Sequence, residues 1–229
     1  MRNWTAAALA IAAVMLAVPS AASAEASLTV DPGATCYREQ SRVFLQGAGF
    51  TPNGDVVFSR SDETLGDPIQ ADPAGALQPQ LILPGLVKGQ RQLTYLATDQ
   101  TDGALSAQVS LLVTATDVVL EPAGGPPERM LTIRARGFFG GNTLYAHIVR
   151  IGKKAHKARN MRIGRVDGAC RKTTARKRLF TKRTAAGTYR VQFDTYRRYR
   201  ASRDVKSNFT VTVYRRAGAT RASGLSPAS

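Results

Sequence analysis

The side chains able to do chemistry are few, and cations dominate them. Between Arg150 and Arg183 the chain places 14 Lys and Arg in 34 residues, against one acid, Asp167. A second cluster, Tyr196-Arg-Arg-Tyr-Arg200 with Arg203 and Lys206, interleaves aromatic rings with guanidinium groups. Cations at such density attract phosphate, sulfate or carboxylate polymers by releasing their counterions, and exposed tyrosines can stack on sugars or bases. The residues that best fit such an interface are Lys153, Lys154, Lys157, Arg159, Arg171, Lys172, Arg176, Lys177, Arg197, Arg198 and Arg200. Two other readings compete: solvated strand faces, and docking of the cations on an acidic protein surface. No nucleic-acid fold signature accompanies the charge, so no sequence-specific nucleic-acid partner is expected.

Other chemistry has little material to work with. His147 and His156 lie in a basic stretch, whereas a zinc site needs three or four converging ligands. Neither histidine has a Ser–His–Asp set or an activated cysteine around it. Asp62-Glu63 and Asp67 fall in a turn-rich loop, and Asp55 and Asp72 read as turn residues, with a calcium site as the less favoured alternative. No metal, cofactor or enzymatic activity is expected. Cys36 and Cys170 are the only thiols. In an oxidising compartment an even count suggests a bridge. Buried free thiols and intermolecular links are the alternatives.

The elements that must carry these residues show in the periodicity. The chain has 229 residues, a net charge of +16 and 43% hydrophobic residues, which excludes wholesale disorder and a membrane bundle. Arg2, the apolar run from Ala6 to Val18 and the small residues Ala22-Ser23-Ala24 form a secretory signal, cleaved after Ala24, too short for a good membrane anchor. No later segment could span a bilayer. Val43 to Phe58 aligns without a gap on Leu131 to Ala146, placing Gly49-Phe50 on Gly137-Phe138. Gly89 to Tyr95 matches Gly187 to Phe193. A period of about 90 residues is a domain duplication, since solenoid repeats are much shorter.

Within each half apolar residues recur at spacing two, as in Tyr189, Val191 and Phe193, the pattern of half-buried strands. Turn residues punctuate them at Thr51-Pro-Asn-Gly54, Ala71 to Gly75 and Gly140-Gly-Asn142. The expected fold is all-β: two tandem antiparallel β-sandwiches with roughly seven strands apiece, at 25–116 and 117–214, followed by a disordered tail at 215–229. Val43, Leu45, Leu93, Tyr95, Leu131, Ile133, Val191 and Phe193 should face the cores. The halves differ in charge, −5 for 25–116 against +20 for 117–229.

A first strand ending in Pro, then a strand running into Gly-Ala-Gly-Phe50 or Arg-Gly-Phe138, then a Gly/Pro/Asn turn and another strand, resembles bacterial secreted Ig-like domains. These include the IPT/TIG type and the tandem Ig-like proteins of high-GC actinobacteria. The resemblance covers nearly the whole mature chain and implies a fold, with no catalytic residue. Tyr189 stands where a tyrosine corner would be. A fainter likeness around Gly47 to Phe50 runs to the enediyne-binding chromoprotein sandwiches, whose two intradomain disulfides this chain lacks. The expectation is a secreted, non-enzymatic binding or structural protein of the cell envelope or extracellular space. Its basic half would bind envelope polyanions. The alternative is a purely structural or protein-interaction module.

Overall fold

The computed structural model describes residues 25–31, 33–123, 126–152 and 158–214. The segments expected to be a signal (1–24) and a tail (215–229), and Lys153, Lys154, His156 and Lys157, lie outside them. Among the described residues every regular element is a strand. The first half holds β1 (Ser27–Asp31), β2 (Tyr37–Arg38), β3 (Arg42–Ala48), β4 (Asp55–Arg60), β5 (Glu63–Thr64), β6 (Ile69–Gln70), β7 (Gln80–Ile82), β8 (Gln90–Asp99) and β9 (Ser106–Thr114). The second holds β10 (Asp117–Glu121), β11 (Leu131–Arg136), β12 (Thr143–Arg150), β13 (Arg159–Arg165), β14 (Thr173–Lys177), β15 (Gly187–Asp194) and β16 (Ser207–Val213). Seven strands were expected in each half. The first exceeds that number because β2, β5 and β6 are two-residue pairings that no periodicity can announce.

Four sheets result: β1-β3-β7 and β2-β9-β8-β4-β5, with β6 beside β4, then β10-β11-β14 and β13-β12-β15-β16. The fold is all-β. Each half buries its own apolar faces: Val43, Leu45, Phe58, Tyr95 and Leu111 in one core, Ile133, Phe138, Leu144, Val191 and Phe193 in the other. Of the residues expected to point inward, only Leu131 is no more than half-buried, being the first residue of β11. One detail of the repeat needs correction. Phe58 lies opposite Ala97, and its counterpart Ala146 lies opposite Phe193, so Tyr95 corresponds to Val191, two residues from the sequence alignment. A shift of two preserves the facing of every side chain, which is why the core assignment survives it.

The shared Gly-Phe motif has a steric origin. Gly49 and Gly137 adopt φ of +81° and +75°. A side chain at Gly137 would place its Cβ 2.2 Å from the Ala115 carbonyl oxygen, and one at Gly49 would come within 2.9 Å of that of Glu25. Each glycine lets the segment entering its own half pass close by, while the following phenylalanine fills the core. Tyr189 donates its hydroxyl to the Ala185 carbonyl at 2.7 Å, the tyrosine-corner bond.

Only Ala115 and Thr116 separate β9 from β10. The Glu39 carboxylate accepts the Leu86 and Thr116 amides, both at 2.8 Å. Asp117 accepts the Gly89 amide at 2.6 Å and pairs with Arg136 at 3.0 Å. Beside this junction Cys36 is disulfide-bonded to Cys170, with 5.2 Å between α-carbons and 134 residues between them in sequence. Of the alternatives for the two thiols, the intramolecular bridge between the halves is the one formed.

Candidate anion-binding site

β13 is the edge of its four-stranded sheet and β14 the edge of the facing three-stranded one. The two edges run close together because Gly164 has no side chain: a Cβ there would sit 3.1 Å from the Thr173 hydroxyl. The Arg159 guanidinium bonds the Leu179 carbonyl across the gap. One side of the second sandwich therefore collects exposed Arg159, Arg162, Arg165 and Arg176, with half-buried Lys177. Charged side chains on exposed edges also discourage pairing with other strands. Arg171 and Lys172 stand in the turn joining β13 to β14, next to bridged Cys170.

The tyrosine-arginine cluster is placed by a different device. Residues 195–206, between β15 and β16, fold back over the outer face of the sheet. By alternation that face carries Tyr145, His147, Asn160, Gln192 and Asp194, and it should be wet. Instead His147, Gln192 and Asp194 are at most 1% exposed. Both His147 nitrogens, both Asp194 oxygens and the Gln192 amide nitrogen are hydrogen-bonded. His147 Nε2 donates to Asp194 at 3.0 Å, and its Nδ1 bonds Asn160 Oδ1 at 2.7 Å. Gln192 Nε2 donates to Asp194 at 2.7 Å and to the Arg200 carbonyl at 2.9 Å, while the Tyr196 amide donates to Asp194 at 2.8 Å. The Tyr199 ring lies 5.8 Å from that of His147.

Burial works against charge on both buried partners. For His147 it acts to lower the pKa, yet the oxygens of Asp194 and Asn160 at its two nitrogens raise it on balance. For Asp194 burial acts to raise the pKa, but the bonds from His147, Gln192 and Tyr196 hold it below the usual carboxylate range. The favoured state is an imidazolium–carboxylate pair. Both ring nitrogens are engaged, one by a carboxylate and one by a carboxamide, so the ring has no free nitrogen to serve a nucleophile. Its effect is to hold the loop on the sheet.

The loop and β13 border an open cleft of about 630 Å³ lined by Asn160, Tyr196, Arg197, Arg198 and Arg203. The Arg203 guanidinium lies 3.6 Å above the Tyr196 ring, a cation–π contact. Of the cations singled out from the sequence, the structure thus places Arg197 and Arg198 in a cleft. It places Arg159, Arg176 and Lys177 along the strand edges, and Arg171 and Lys172 in a turn. Arg200 does not line the cleft; its carbonyl anchors the loop. Among the described residues none of these eight makes an ion pair, and the pairs of the second half use Arg134, Arg136, Arg165 and His147. Sequence reasoning missed Asn160 and the His147–Asp194 couple. The available signal was a connection of twelve residues between β15 and β16, long for a hairpin and rich in aromatic and basic residues.

Several acids of the first half have local duties. Asp72 Oδ1 accepts the Ala74 and Ala76 amides, both at 2.8 Å, and Glu63 pairs with Arg60 at 2.7 Å. Asp99, 1% exposed, accepts the amides of Thr51, Thr101 and Asp102.

No protein-family model and no curated protein matches the chain. Solved structures with a similar arrangement include the human OSCAR ligand-binding domain, at 16% identity over 82% of this chain and 98% of that one, TM-score 0.32. A Corynebacterium diphtheriae protein matches at 11% identity over 82% and 57%, TM-score 0.34. Red sea bream transglutaminase matches at 12% identity over 84% and 32%, TM-score 0.30.

Proposed function

We propose that this is a secreted, non-enzymatic binding protein whose second half attaches to anionic polymers of the cell envelope or extracellular space. One observation carries the reading. Arg159, Arg171, Lys172, Arg176, Lys177, Arg197, Arg198 and Arg200 have no acidic partner among the described residues. Had their purpose been to dock on the acidic first half, ion pairs across the junction would engage them. Cations left without an acidic partner can neutralise an anionic polymer, and binding then draws on the entropy of the counterions released from that polymer. The Cys36–Cys170 bridge supports an oxidising destination.

The test is retention of the mature chain on a sulfated-polysaccharide column with a salt gradient. Retention should fall steeply with salt. Reversal of exposed Arg159, Lys172 and Arg176 to Glu should advance elution and flatten the salt dependence together. Flow-through of the parent protein at low salt would leave the structural or protein-interaction reading in its place.

A further inference from the structure

We propose that the cleft between β13 and the 195–206 loop is a defined site for one oxyanion group, sulfate, phosphate or carboxylate, presented by the ligand. The proposal rests on the polyanion reading and narrows it from diffuse charge to a single place with directed donors.

The lining is one-sided. Asn160, Tyr196, Arg197, Arg198 and Arg203 include three guanidinium groups and no acid. Asp204, in the same loop beside Arg203, is exposed, does not line the cleft and makes no ion pair among the described residues. Asp194 is fully buried, and its oxygens are taken by His147, Gln192 and the Tyr196 amide. Its charge is spent on the imidazolium and does not neutralise the arginines. Asn160 is oriented by the same network: its Oδ1 faces His147 Nδ1 at 2.7 Å, which leaves its NH2 group as a donor at the exposed cleft. Arg203 is held by its stack on Tyr196, and its Nε is buried without a hydrogen-bond partner. An oxyanion at this spot would meet the Asn160 amide from β13 and the guanidinium groups of Arg197, Arg198 and Arg203 from the loop. Guanidinium forks favour such groups because their paired N–H bonds match two oxygens at once.

The cleft is not a general consequence of the repeated fold. In the first half the connection between β8 and β9 is short, runs from Gln100 to Leu105 and contains no Lys or Arg. By strand pairing the places of His147 and Asp194 are taken there by Ser59 and Thr98, so the buried couple has no counterpart in the first half.

The experiment is a nuclear magnetic resonance titration of the isotope-labelled mature chain with sodium sulfate, phosphate and acetate, against sodium chloride at equal ionic strength. Saturable shifts at the Asn160 side-chain amide and Arg203 Nε–H, absent with chloride, are expected, and the strongest of the three anions identifies the group preferred. Asn160→Asp keeps an oxygen for His147 while replacing the donor by a charge, and should weaken the preferred anion at least tenfold. Arg197→Gln, at an exposed position, should weaken it in the same sense. Identical, unsaturable shifts with every salt, or unchanged affinity in both variants, would overturn the site. Column retention that persisted in that event would leave the polyanion reading standing. Saturable shifts with no column retention would do the reverse, leaving a site for a small anion and removing the polymer.

Discussion

Replacing both Cys36 and Cys170 by alanine removes the disulfide that cross-links the halves, and its effect can be worked from the topology. The bridge spans 134 residues of sequence. For a loop of that length the chain-entropy relation gives about 5 kcal/mol when the whole chain unfolds. The halves have separate cores, so partial unfolding must be considered too. If only the second half unfolds, the constrained segment runs from Asp117 to Cys170, roughly 50 residues, worth about 4 kcal/mol. If only the first unfolds, it runs from Cys36 to Ala115, roughly 80 residues, worth about 4.5 kcal/mol. The logarithm makes the three values nearly equal. The double variant should therefore lose about 4–5 kcal/mol whichever half opens first, with some addition because both cysteines are at least 96% buried. Urea unfolding followed by circular dichroism and by tyrosine fluorescence measures it, and reduction of the parent protein should reproduce the shift. A loss below about 1 kcal/mol would refute the argument, by showing that the bridge restricts the unfolded chain no more than the folded one.

Three further outcomes follow from single sites. Ile133→Ala, at a fully buried position, should destabilise the protein by about 2–5 kcal/mol in urea unfolding, and a change near zero would remove β11 from the core. Gly137→Ala meets both a left-handed backbone, about 1–2 kcal/mol, and the Ala115 carbonyl 2.2 Å from its new Cβ, about 1–3 kcal/mol. It should destabilise more than Gly49→Ala, where the nearest atom is 2.9 Å away, and the reverse order in thermal melts would contradict the packing. The raised pKa of His147 makes its stabilisation complete below the ordinary value of 6.5 and lost as pH rises through the folded value. The lowered pKa of Asp194 makes its own contribution present above the ordinary value of 3.8 and lost as pH falls. Melting temperature should thus decline as pH rises from 6.5 through the folded value, and His147→Gln should flatten that decline; an unchanged profile in the variant would show that another group titrates.

Much of this protein was legible in its residues because the relevant physics is local. Alternation of apolar side chains states which face of a strand is dry. It therefore identified Val43, Leu45, Ile133, Val191 and Phe193 as core even where the repeat was aligned two residues out of step. The Gly-Phe motif and the concentration of cations beyond Arg150 are likewise properties of short stretches. Pairing of Cys36 with Cys170 stayed open, since an even count names no partner; the junction that brings their α-carbons to 5.2 Å settled it. The site was least legible. Asn160, His147 and Asp194 belong to three adjacent strands and lie 13 and 47 residues apart, so only sheet register brings them together. The same alternation that found the core assigned their face to water. That face became buried because a twelve-residue connection turned back across it, an event governed by long-range packing and hydrogen bonding that no period in the sequence encodes.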